Sequence, residues 1–249
     1  VLFFAAEDYA VFAGHLPVGA RMPVYEKDGL RLHLNEDTAA ADVLIIDEVQ
    51  RAYAWDTPLA YALDVGAHIG AWTCVALRQY PAARIIAIEV DAQNAALLRQ
   101  NTAHLPGVSC YEARCGYAPG AFSVARHRTN SGSTRVYPAA APGSLALAAA
   151  YHAPYPAPPR LTPEQAVQAQ GFPRLDVLKL DCEGAEIDIL NGLSAALLAQ
   201  VQQIVGEIHS PPAVFEQQTG QRLQRAGFRV TYTPHPVSPH LYHTLTARR

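Results

Sequence analysis

Asp64-Val65-Gly66-Ala67-His68-Ile69-Gly70 follows a short apolar run, Ala62 to Val65, and leads into a helical pattern from Ile69 to Gln79 that stops before Pro81. A strand ending in glycine lets another molecule approach the backbone without meeting a Cβ. The helix that follows offers free N–H groups at the same point. Downstream, Ile85-Ile86-Ala87-Ile88 runs apolar up to Glu89-Val90, as a parallel strand buried on both faces requires. Asp91 can cap a helix from Ala92 to about Asn101, and Val108 to Ala113 reads as a third strand. Strands alternating with helices at this interval predict βαβ units and a parallel sheet.

The same alternation continues. Thr162-Pro163-Glu164-Gln165 carries a cap, a proline at the first helical position and a glutamine three residues after the cap. Asp176 to Leu180 is a fourth strand, a helix spans about Ile187 to Gln200, and Val201 to Ile208 is a fifth strand. A helix near 213–226 precedes two strand candidates, Phe228–Thr233 and Leu241–Ala247, whose connection is long enough for an antiparallel return. The expectation is a Rossmann-like α/β domain over 60–249, with a seven-stranded, mostly parallel sheet and an antiparallel last strand. Residues 1–59 read as an N-terminal cap: a hairpin about Asp28-Gly29, then a short helix over 41–54. Residues 138–160, rich in Ala, Pro and Tyr, read as a surface insertion.

Composition narrows the function classes. The net charge of −3 gives no reason to expect a basic face for nucleic acid. No run approaches the ~20 apolar residues that span a bilayer, so no membrane partner is expected. Val1 to Ala6 is apolar but is broken at once by Glu7-Asp8 and lacks a basic flank, unlike a signal peptide. Cys74, Cys110, Cys115 and Cys182 form no CxxC pair, which suits reduced thiols in a cytoplasmic protein. Arg outnumbers Lys 17 to 2, a coding bias of GC-rich bacterial genomes.

His68 stands where a dinucleotide fingerprint needs glycine, so that fingerprint fails and a nicotinamide enzyme is disfavoured. S-adenosylmethionine carries no phosphate; it carries an ammonium, a carboxylate, a sulfonium and a ribose diol. Asp64 can meet the ammonium, directly or through water, beside the Gly66-Ala67-His68-Gly70 turn. Glu89, next to Val90 at the second strand's tip, can accept both ribose hydroxyls, because a carboxylate is acceptor-only and bidentate. Glu112 or the Ala113 backbone can address the adenine edge. The competing reading is that Gly66 and Gly70 only make a tight turn.

Asp64 to Gly70, together with Leu178-Lys179-Leu180-Asp181-Cys182-Glu183-Gly184-Ala185-Glu186, resembles the FkbM family of S-adenosylmethionine-dependent methyltransferases, with its DVGANxG and later (I/L)K(I/L)DxEGxE. The resemblance covers about residues 60–210, and the second motif is the more specific. Asn130-Ser131-Gly132-Ser133 resembles the family's Gly/Ser-rich stretch, which adds Ser133 to the cofactor side. His68 departs from the usual Asn. The resemblance implies a class I methyltransferase fold and methylation of a small-molecule hydroxyl, on a sugar or a natural product. An amine or protein side chain as acceptor, and a cofactor-binding protein without turnover, stay as alternatives. Oligomeric state is open, a homodimer included.

In such a sheet, ligands gather outside the carboxyl ends of the strands. Asp181 and Glu183 leave one tight turn there, and His209 follows the fifth strand. These three are the candidate catalytic residues, His209 as a base whose ordinary pKa suits the task. Lys179 reads as a structural ion-pair partner, and Glu186 as an acid at a helix N-terminus. Asp181, Glu183, Glu207 and His209 also offer metal-ligand atoms, but without diagnostic spacing, so a divalent metal is not favoured.

Overall fold

The computed structural model describes residues 23–53, 55–140, 150–234 and 242–249. Seven strands form the central sheet: β1 Tyr61–Val65, β2 Arg84–Glu89, β3 Val108–Glu112, β4 Leu175–Leu180, β5 Val201–Ile208, β6 Arg229–Pro234 and β7 His243–Arg248. Their order is β6-β7-β5-β4-β1-β2-β3. β1 to β5 pair in parallel, whereas β7 lies antiparallel to both β5 and β6. The sheet is therefore of the Rossmann-like class I methyltransferase kind, with the last strand reversed. Its strand order reverses between β1 and β4, and the carboxyl ends of those strands frame a crevice.

The central parallel strands β1, β2 and β4 are almost wholly buried because helices cover both faces, whereas β3 at the edge is only half-buried. On one face, α1 (Ala39–Ala52), α2 (Ala71–Gln79) and α3 (Ala92–Thr102) pack with the N-terminal hairpin, and Leu32, Ile46, Trp72, Leu97 and Val177 share one core. On the other, α4 (Pro163–Gln170), α5 (Glu186–Gly192) and α6 (Ala195–Gln200) bury Val167, Ile189 and Leu197 against Leu63, Leu178 and Ile204. The hairpin pairs Val24–Lys27 with Leu30–His33, and Asp28 and Gly29 both take positive φ. The single helix expected over about 187–200 is two, α5 and α6, because Leu193 leaves helical geometry and Ser194 caps the next turn. The connection between β6 and β7, and the central part of the 138–160 insertion, fall outside the described residues.

A feature the sequence patterning misses is a small antiparallel sheet beside the crevice, ordered Arg135–Pro138, Phe122–Ala125, Tyr155–Pro156. Part of the insertion is thus structured. All four cysteines are free thiols. Among the described residues, no helix is long and apolar enough to cross a membrane.

Candidate active site

The β1–α2 turn is held from within. The Gly66 and Ala67 amides donate to Ile88 O, and the Lys179 ammonium donates to Gly66 O at 2.7 Å. Gly66 has φ +72, and a Cβ there would lie 1.7 Å from Asp181 O. The expectation of an open glycine ledge is corrected by this: what approaches Gly66 is the chain's own β4 end. Asp64 is also revised. Its carboxylate is fully buried, takes the Thr73 hydroxyl at 2.7 Å and pairs with Lys179 at 3.1 Å, so it faces the core rather than a ligand ammonium. Lys179 is the structural ion-pair partner expected of it; burial disfavours its charge, and Asp64 together with Asp181 outweighs that and raises its pKa.

Glu89 ends β2 with its carboxylate wrapped in amides. Oε2 accepts from His68 N at 2.8 Å, and Oε1 from Val90 N and Asp91 N at 2.9 and 2.8 Å. Burial lifts its pKa, against the amides that hold the charged form. Each oxygen keeps capacity for a further donor. His68 takes φ 52, a region that Asn, Asp and His enter more readily than other side chains. Its Nε2 meets Ser131 Oγ at 2.7 Å, while the buried Nδ1 has no hydrogen-bond partner among the described residues. Ser131, not Ser133, is therefore the residue of the Gly/Ser stretch that reaches the turn. Glu112 pairs with Arg99 at 2.9 Å on the exposed rim, whereas Ala113, just beyond β3, is buried.

Ser131 belongs to a buried polar hub invisible in the sequence. Its hydroxyl donates to Asp42 Oδ1 at 2.7 Å, and Asn35 Nδ2 reaches Asp42, Asn94 and Ser131. Arg126 Nη1 donates to Asp91 at 2.8 Å and to Asn94 at 3.1 Å, and Tyr155 donates to Asp91 Oδ2 at 2.8 Å. The hub ties the N-terminal segment and the small sheet to the Glu89 turn. Only polar residues spread across 35–155 mark it, and no spacing rule links them.

The β4 and β5 ends form an acidic mouth. Glu183 and Gly184 both take positive φ, which turns the chain sharply after Asp181. Asp181 Oδ2 accepts the Tyr53 hydroxyl at 2.9 Å, a partner the sequence reading missed. Buried Glu186 accepts the amides of Cys182 and Gly184 and meets His209 Nδ1 at 2.9 Å. His209 Nε2 lies 3.6 Å from Glu183 and 3.7 Å from Glu207. Burial opposes a charged imidazole, but Glu183 and Glu186 outweigh it and lift the His209 pKa to about 12. The expectation that His209 is a base is corrected: an imidazolium has no lone pair to take a proton. Asp181, Glu207 and His209 each bring one potential ligand atom within 4.8 Å of the others.

The description "Methyltransferase FkbM domain" matches residues 64–230, about two thirds of the chain. The chain belongs to the FkbM methyltransferase domain family. Among its relatives is the AMB antimetabolite synthetase AmbE of Pseudomonas aeruginosa, 30% identical over 221 residues, covering 72% of this chain and 10% of that protein. Another is the methyltransferase sdnD of Sordaria araneosa, 34% identical over 80 residues, covering 32% of this chain and 30% of that protein. The chain thus matches under a third of the length of either. Similar solved structures include a human methyltransferase 10 domain protein, at 10% identity, TM-score 0.47 and 88% of each chain. A precorrin-6y C5,15-methyltransferase from Geobacter metallireducens reaches 13% identity and TM-score 0.43 over 91% of this chain and 94% of that one. Likeness at this level adds nothing to the strand order already described.

Family and fold imply S-adenosylmethionine as the cofactor. The residues fit it. Glu89 has acceptor capacity at the β2 tip, and His68 Nδ1 beside it is a buried polar atom with no hydrogen-bond partner among the described residues.

Proposed function

We propose that the FkbM domain methylates a hydroxyl group of a small molecule, a sugar or a specialised metabolite. The observation that carries this reading is the position of the acidic mouth. Asp181, Glu183 and Glu207 sit at the ends of β4 and β5, one and two strands from the Gly66 turn. A bound S-adenosylmethionine supplies a methyl group on a sulfonium, ready for in-line displacement. The chain's own residues must then orient the acceptor and remove its proton. Glu89 with Val90 would hold the ribose, Ala67, His68 and Gly70 the cofactor's middle, and Ala113 the adenine. Asp181, fixed by Tyr53, and Glu183, fixed by His209 and Arg135, would accept hydrogen bonds from acceptor hydroxyls. No metal enters this reading, and the acceptor is read as neither nucleic acid nor lipid.

The names of the relatives, an antimetabolite synthetase among them, support a setting in natural-product chemistry. The free thiols accord with a cytoplasmic location. A second reading, methylation of an amine, draws on the same excess of carboxylates, which would attract an ammonium. The test has two stages. Calorimetry with S-adenosylhomocysteine and with NAD should show binding of the first alone. Labelled methyl transfer is then followed on a panel of monosaccharides, hydroxy acids, phenols and primary amines. Label on hydroxyl compounds supports the reading, and label confined to amines replaces it with the second.

A further inference from the structure

The carboxylates of the mouth differ in how they are committed. Asp181 holds the Tyr53 hydroxyl, and Glu183 is flanked by Arg135 Nη2 and His209 Nε2, each at 3.6 Å. Glu186 is spent on two backbone amides and on His209 Nδ1. Glu207 is different. It is the penultimate residue of β5, opposite Thr244 of β7; like that of Glu183, its carboxylate accepts no hydrogen bond from any described residue, but no described arginine flanks it as Arg135 flanks Glu183. Its nearest cationic atom is His209 Nε2 at 3.7 Å, and 14% of its side chain is open to solvent. A largely buried carboxylate with free lone pairs, beside Asp181 and His209 at the mouth, is equipped to bind a donor that the described residues do not provide.

We propose that Glu207 is the base that takes the proton from the acceptor hydroxyl. This rests on the hydroxyl reading above and deepens it. In the step, the acceptor oxygen forms a bond to the methyl carbon and the carbon–sulfur bond breaks. The electron pair returns to sulfur, which neutralises the sulfonium, and the acceptor's proton passes to the Glu207 carboxylate. No further reactant is needed. The other groups at the mouth are poorly suited. Glu183 and Glu186 favour the charged form of His209, Glu183 is itself shared between Arg135 and His209, Asp181 is engaged by Tyr53 through one oxygen and keeps the other to orient the acceptor, and the Tyr53 hydroxyl is itself a donor whose pKa burial and Asp181 push well up.

The surroundings tune Glu207 for this work. It faces Asp181 and Glu183 from the turn after β4, Glu48 from α1, Tyr53 just beyond α1, and His209 from the end of its own strand. Burial and then Asp181 raise its pKa, His209 partly offsets them, and the value reaches about 8. A base is most effective when its pKa lies near the working pH. His209 acts here as a positioning residue, since its imidazolium keeps three acids gathered without removing the one that reacts.

The test uses the full chain and the best hydroxyl acceptor from the panel above. Wild-type kcat/KM should rise with pH and level off above about pH 8. Glu207→Gln should lower kcat by about 10²-fold or more and lose the rising limb, with S-adenosylhomocysteine affinity within twofold. Glu207→Asp should recover part of the rate. A Glu207→Gln enzyme that keeps the wild-type rate and pH limb overturns the proposal, as does an amine-only enzyme that the substitution leaves unchanged. If the wild-type protein methylates no hydroxyl compound, the hydroxyl reading fails rather than the Glu207 geometry. The side-chain carboxyl of Glu207, ¹³C-labelled and titrated by NMR with S-adenosylhomocysteine bound, then decides separately. A midpoint near 8 supports an available base, and one in the ordinary glutamate range rejects it.

Discussion

Gly66 and Glu89 show how one short turn serves two ends. At Gly66 any side chain would collide with the Asp181 carbonyl, and φ is positive as well. Gly66→Ala should therefore destabilise the fold by about 2 kcal/mol or more, measured by urea unfolding, because both strain and overpacking act. Full stability in that variant would mean the turn can open away from β4. Glu89 is legible from sequence as a strand-tip acid, but its wrapping by three amides is not, since those amides come from residues 68, 90 and 91 folded onto it. Glu89→Gln keeps the shape and loses the charge. S-adenosylhomocysteine binding should weaken by about 1–3 kcal/mol by calorimetry, the worth of charge-assisted hydrogen bonds. An unchanged affinity would place the ribose elsewhere.

Helix α3 links the sheet to the crevice. Asp91 caps it, as the sequence predicts, through the amides of Gln93 and Asn94. The same carboxylate also receives Arg126 and Tyr155, 35 and 64 residues away, and this local patterning could not show. Asp91→Ala should thus cost more than the roughly 1 kcal/mol of an ordinary cap, because it also leaves the buried Arg126 without its closest acid. Hydrogen exchange should report where the loss falls: faster exchange in Phe122–Ala125 and Tyr155–Pro156 is expected, and a change confined to the first turn of α3 would separate the small sheet from the cap.

For the whole molecule, titration of the buried groups sets how stability varies with pH. His209 has a folded pKa near 12, above its unfolded value near 6.5, so its contribution is fully present below about pH 6.5 and is lost as pH rises toward 12. Glu207 has a folded pKa near 8, above its unfolded value near 4.3, so ionising it between those limits also costs stability as pH rises. Asp42 and Glu186 are lowered, since their partners outweigh burial, and their contribution is lost on acidification. Greatest stability should lie at mildly acidic pH, with Tm falling between about pH 6 and 9. Glu207→Gln should flatten the lower half of that fall, and a Tm slope identical to wild type would show that Glu207 does not titrate there.

Sequence alone determined the sheet and its order of elements, because burial on both faces imposes apolar runs at Leu63, Ile86 and Leu178 that nothing else would require. It also determined the family, through two motifs that lie at the ends of neighbouring strands. Only the tertiary structure decided what each acid does. Asp64, Glu186 and Glu207 look alike in the chain, yet Lys179 turns the first into the core, two amides and an imidazole occupy the second, and the third is left open to the crevice. A carboxylate's role depends on which donors come within about 3 Å, and here those donors are often tens of residues away.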